Sequence, residues 1–135
     1  MSEKKYTVEK ENTRTEFQDA LQALVDGGAL DISKIKKLDY HLHYSNEFAS
    51  IDIEAITQDN RAVNALHRAQ VFTLGELIEK WDTLDKLRNV GKRTVGVVRN
   101  SFMNYYYCSL GTPEKKALFL KEIVDMNTIG EVEVG

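Results

Sequence analysis

The chain has 135 residues, 42% of them hydrophobic and 29% charged, with a formal net charge of −3. This is the size and balance of one globular domain, or of one domain with an extended arm, and no apolar run approaches the roughly 20 residues that cross a bilayer. The charged start "MSEKKYTVEKENTRTE" is not a secretory signal, and the single cysteine, Cys108, has no partner for an internal disulfide, so a cytoplasmic location is expected.

Residues 1–13 read as a disordered arm and residues 14–55 as an N-terminal helical extension. A helix begins near Thr15, where "TEFQ" sets Gln18 three residues after a threonine, the spacing of a capping box. Phe17, Leu21, Leu24 and Val25 fall on one face of it, and Gly27 and Gly28 end it. Leu30, Ile32, Ile35 and Leu38 mark a second apolar element. In "DYHLHYS", Tyr40, Leu42 and Tyr44 alternate with His41 and His43, a pattern that suits a strand or a helix end equally. "SNEFASIDIEAI" is expected to be a connection anchored by Phe48, Ile51, Ile53 and Ile56.

Residues 56–126 read as a helical domain with its own C-terminal helix. Asp59 is placed to cap a helix over 60–69, with Val63, Leu66 and Ala69 inward. "TLGE" at 73–76 is a second capping box. Thr83 is expected to cap a short helix carrying Leu84 and Leu87. A longer helix follows to about Tyr107, with Val95, Val98, Phe102 and Tyr106 inward. "GTPE" at 111–114 puts a threonine at an N-cap and the only proline at the first helical position, opening a last helix that Leu118, Leu120, Ile123 and Val124 continue. Residues 127–135 are expected to be a loose tail.

The small net charge hides an asymmetry. Residues 1–60 carry 7 Lys/Arg against 12 Asp/Glu, a balance of −5, whereas residues 61–110 carry 8 against 4, a balance of +4. Segregation of this kind is what a localised anion-binding face produces. Within the basic segment, "RNVGKRT" joins two apolar helices. A helix start presents unpaired N–H groups and a partial positive charge, and a glycine there lets an anion approach the backbone. Gly91 supplies that approach, Lys92 and Arg93 add charge, and Thr94 adds a hydroxyl donor. Asn89 stands where a helix-hairpin-helix turn usually has a further glycine, and asparagine tolerates a left-handed backbone well.

"RAVNALHRAQVFTLGELI" followed by "LRNVGKRTV" resembles the C-terminal domain of the bacterial RNA polymerase alpha subunit over residues 56–111. The resemblance rests on Arg61, Asn64 and Leu66, on Leu74-Gly75-Glu76-Leu77, and on Asn89-Val90-Gly91-Lys92-Arg93-Thr94, with "SLG" at 109–111 where that family often ends. It implies an all-α fold: a compact multi-helix bundle containing a helix-hairpin-helix, here with an added N-terminal helical segment. It also implies a bacterial protein that binds double-stranded DNA in A/T-rich minor grooves and docks on transcription machinery. By position, Arg61 would enter the minor groove and Asn64, Gly91, Lys92, Arg93 and Thr94 would hold phosphates. A narrow minor groove attracts an inserted arginine, and phosphate contacts tolerate sequence but are sensitive to salt. The sequence departs at His67, where that family typically has lysine. It has no counterpart of the alpha subunit's assembly domain, which points to a stand-alone relative.

Other chemistries find little support. His41 and His43 lack a second cluster of metal ligands, so no metal is expected. "FMNYYYC" at 102–108 has helical spacing and reads as core rather than as a base-stacking platform. No nucleophile triad or nucleotide-binding glycine loop is present, so no enzyme, cofactor or small-molecule substrate is expected. The alternative to DNA binding is a protein–protein interaction module built on the same domain, because fold does not fix function.

Overall fold

A computed structural model describes residues 14–88 and 90–134, with side chains over that range except at Lys36 and residues 128–134. In order along the sequence the helices are α1 Glu16–Asp26, α2 Asn46–Ala49, α3 Asn60–Arg68, α4 Leu74–Glu79, α5 Lys92–Ser109 and α6 Pro113–Val134, with 3-10 turns at Ile32–Lys37, Ile53–Ala55 and Trp81–Lys86. Extended pairing among the described residues is one isolated bridge between Asp52 and Thr73, so the described residues form an all-α fold. The expected arm at 1–13 and Asn89 lie outside the described residues.

Four helix starts follow the sequence signals. Thr15 and Gln18 close a capping box on α1, and Thr73 and Glu76 close one on α4. Asp59 accepts from the N–H of Arg61 (3.0 Å) and Ala62 (3.2 Å) at α3. Thr112 Oγ1 accepts from the N–H of Lys115 at 3.2 Å, so α6 starts at Pro113. Each cap satisfies amides that a helix start leaves unpaired. Thr83 differs. The 3-10 turn begins two residues earlier, at Trp81, and the Thr83 hydroxyl donates to the Lys80 carbonyl at 3.2 Å instead of capping. Residues 38–44 adopt neither strand nor helix.

The protein divides into two compact units, one of residues 43–105 and one that joins residues up to 42 with residues from 106 onward. The expected domain boundaries fall at 55 and 126. Residues 43–55 join the first unit through backbone and packing. The Ile53 N–H donates to Phe72 O at 3.0 Å, and the Leu74 N–H donates to Ile51 O at 2.9 Å. Ile53 is fully buried. Gly75 lies so close to α2 that a Cβ there would sit 3.0 Å from the Ala49 Cβ and 3.1 Å from the Ala49 carbonyl oxygen, so a side chain would crowd this contact between α2 and α4. The interior of this unit is Ile53, Val63, Leu66, Leu74, Leu77, Leu84, Val98 and Phe102.

In the other unit, Phe17 packs against Tyr107 (5.4 Å between centroids) and Phe119 (6.0 Å), and Tyr106 meets Phe119 edge-on at 5.1 Å. These separations lie in the range preferred by aromatic pairs. Of the run 102–108, Tyr106 and Tyr107 are buried in this unit, and Phe102 and Met103 are buried in the 43–105 unit. On α6, Leu118 is 64% exposed, while its neighbour Phe119 is buried. The α6 backbone continues across the expected boundary at 126, to Val134. Buried Asn127 holds the helix past Met126. Its Nδ2 donates to Asp39 O (2.9 Å) and Ile123 O, and its Oδ1 accepts from the Asp39 N–H (3.0 Å).

Candidate nucleic-acid interface

The 43–105 unit presents two patches that carry the sequence-derived residues. The first is one face of α3. Ala62, Val63, Ala65 and Leu66 are buried, which turns Arg61 and Asn64 outward at i and i+3. Arg68 continues the stripe at i+7 and is also exposed. It is missing from the residues drawn from the resemblance, although its helical spacing from Arg61 is visible in the sequence. Arg61 and Arg68 make no ion pair among the described residues, so both guanidinium groups face solvent.

The second patch is the start of α5. Val90, Val95 and Val98 are buried and fix the turn, while Gly91, Lys92 and Arg93 are exposed and Thr94 is half-buried. The Gly91 carbonyl accepts from the Val95 N–H at 3.0 Å. A Cβ built at Gly91 would meet nothing within 4 Å, so the backbone here is open from outside. The first turn of α5 has no acidic residue, and neither Lys92 nor Arg93 forms an ion pair among the described residues. Farther along, Arg99 ties the helix down. Its Nη2 donates to the Trp81 carbonyl at 2.6 Å, and its guanidinium lies 5.6 Å from the Trp81 ring centre. Trp81 in turn meets Phe102 edge-on at 5.2 Å.

The structure therefore groups Arg61 with Asn64 on α3, and Gly91 with Lys92, Arg93 and Thr94 at the front of α5. No side-chain hydrogen bond or ion pair joins the two groups among the described residues. Asn89, carried over from the resemblance as part of the turn, lies outside the described residues. In the same unit, the Glu76 carboxylate accepts from the N–H of Phe72 (2.9 Å) and Thr73 (3.0 Å), and these bonds hold its carboxyl below the usual range.

His41 and His43 are exposed. The grouping of possible metal ligands that the described residues form is a different one, Asp52, Glu54 and His67. No described helix is long and apolar enough to cross a membrane.

Residues 42–101 match the family model for the C-terminal domain of the bacterial RNA polymerase alpha subunit. That match covers under half of the sequence and coincides closely with the 43–105 unit. This part of the protein has an alpha C-terminal domain-like fold. No curated protein and no solved structure matches it significantly.

Proposed function

We propose that the 43–105 unit is a non-catalytic, transcription-related DNA-binding module that grips phosphates with the start of α5 and inserts Arg61 into a minor groove. The observation that carries this reading is the start of α5, where two exposed, unpaired cations sit in the first turn beside an open Gly91 with no acid to offset them. A cation near a helix N-terminus opposes the helix dipole. A phosphate placed there satisfies the free amides, the dipole and both cations together. Arg61, Asn64 and Arg68 offer a second cationic, hydrogen-bonding stripe on α3. The match to a polymerase domain family supports the same reading, with a bacterial cytoplasm as the setting. Contacts of this kind give sequence-tolerant, salt-sensitive binding with a bias towards A/T-rich DNA.

Fluorescence anisotropy with an A-tract duplex and a G/C duplex, at two salt concentrations, tests this. Arg61→Ala is expected to cost roughly 1–3 kcal/mol of binding and to remove the A-tract preference. Absence of binding by the unmodified protein at low salt would overturn the reading. A second reading, docking on a protein of the transcription machinery, is favoured by Tyr44 and Phe72, large hydrophobic side chains of this unit that are 45% and 41% exposed. In that case Arg61→Ala leaves partner binding unchanged and Phe72→Ala weakens it.

A further inference from the structure

We propose that Asp52, Glu54 and His67 bind a divalent first-row transition cation on the 43–105 unit. One possible ligand atom from each of the three lies within 4.8 Å of the others. The backbone brings them there from two distant stretches of sequence. Asp52 caps the 3-10 turn Ile53–Ala55 by accepting from the Glu54 N–H at 2.8 Å, which fixes Glu54 beside it. The same stretch pairs with residues 72–74 through the Asp52–Thr73 bridge and the Ile53 N–H to Phe72 O bond. His67, near the end of α3, stacks on the Phe72 ring at 5.0 Å and 25° between planes. Phe72 thus positions both sides of the group: its carbonyl holds the turn that carries the carboxylates, and its ring holds the imidazole.

An independent observation points to a missing ligand. The His67 ring is half-buried, and its Nε2 is sealed from solvent with no hydrogen-bond partner among the described residues. A neutral imidazole must place one N–H and one lone pair, and a buried nitrogen with neither satisfied is something native folds rarely keep. Coordination through Nε2 would use its lone pair and leave only the Nδ1 N–H to accommodate.

The donor set selects the kind of ion. One imidazole and two carboxylates suit zinc and its neighbours in the first row, whereas an all-oxygen set would suit magnesium or calcium. The two carboxylates neutralise a divalent charge. Because both are exposed, the ion has an entry path and room for water in its remaining positions. The Asp52 oxygen that caps the turn keeps spare acceptor capacity, as does its second oxygen. A bound ion would crosslink the 53–55 turn to α3, so it would raise the unfolding temperature by binding only the folded protein.

The test is titration of the full-length protein with Zn2+ alone, read by calorimetry and by the shift in Tm. One ion per molecule and a rise in Tm are expected. Glu54→Gln and His67→Gln should each weaken Zn2+ binding about tenfold or more, at least as much as the loss of an outer-sphere partner costs. A His41→Gln, His43→Gln double variant should bind as the unmodified protein does. Zn2+ affinity untouched by Glu54→Gln, affinity lost with His41 and His43, or no binding at millimolar Zn2+ would each overturn the proposal. Should His67→Gln fail to fold by circular dichroism, Glu54→Gln decides, because Glu54 is exposed and its side chain forms no hydrogen bond or ion pair among the described residues.

Discussion

Two helices of this protein begin with adjacent cations, and the fold treats the two starts differently. At α6, Glu114 offsets the dipole, and Lys116 is bonded to Glu16 at 2.9 Å and lies 5.3 Å from the Tyr107 ring centre. At α5, Lys92 and Arg93 have no acid in the first turn and no ion pair among the described residues. Cations at a helix N-terminus oppose its dipole, an effect of about 0.3–1 kcal/mol. Where only stability is at stake, as at α6, the protein supplies the compensation itself. At α5 no such compensation is found among the described residues, and the proposed phosphate contact rests on that contrast.

The largest expected effect tests where the α5-bearing unit begins. If residues 43–55 are part of that unit, Ile53→Ala should destabilise it by about 2–5 kcal/mol, the usual range for removing a fully buried aliphatic side chain. Chemical denaturation measures this, and a loss well under 1 kcal/mol would return residues 43–55 to the status of a dispensable connection. The glycines before the two helices give the next contrast. Gly111 has a φ of +85°, where a side chain is strained, whereas a Cβ at Gly91 meets nothing. Gly111→Ala should therefore cost roughly 1–2 kcal/mol, while Gly91→Ala should leave stability unchanged or slightly improved. Thermal unfolding of both variants checks the pair.

These outcomes bear on what the sequence could reveal. The caps at Thr15, Asp59, Thr73 and Thr112 were legible because each depends on residues two or three positions apart. The exposure of Arg61 and Asn64 was legible because the apolar residues between them set the face of α3. The docking of 43–55 was not, since it rests on Ile53 meeting Phe72 and on Ala49 meeting Gly75, pairings some twenty residues apart that no local pattern encodes. A separation of 13 and 15 residues likewise hid the grouping of Glu54 and Asp52 with His67. Adjacent Leu118 and Phe119 are both apolar, and local pattern alone does not decide between them: Phe119 is buried and Leu118 exposed.

A smaller effect separates the two helix starts directly. Lys92→Ala with Arg93→Ala should reduce the slope of log binding constant against log salt by about 2, roughly one for each phosphate contact removed. The same double variant should unfold no more easily than the parent, and up to about 1 kcal/mol less easily, because two cations leave a helix N-terminus. Lys116→Ala should do neither: its salt slope should match the parent, and its stability should fall with the loss of Glu16. A salt slope unchanged by Lys92→Ala and Arg93→Ala would place any DNA contact elsewhere on the unit.

The smallest expected effect is in pH dependence, where the two regions should respond at opposite ends of the scale. Glu76 accepts two backbone N–H bonds that hold its carboxyl below the usual range. A carboxyl lowered by folding stabilises the protein above its unfolded value of about 4.3, and that contribution disappears as the pH falls through the lower folded value. Lys116 is raised, first by its hydrogen bond to Glu16. A raised ammonium stabilises the fold below the ordinary lysine value of about 10.4, and that contribution disappears as the pH rises through the higher folded value. Glu76→Gln keeps an acceptor for the Thr73 amide but cannot titrate, so its Tm should fall less than the parent's between about pH 5 and pH 3, while the two curves run parallel in alkali. Lys116→Met should show the reverse, parallel to the parent in acid and flatter above about pH 10. Amide hydrogen exchange at Thr73 and at the first turn of α6 would assign each limb to its own region. Acid sensitivity that survives in Glu76→Gln would remove this cap as the titrating contact that holds the start of α4.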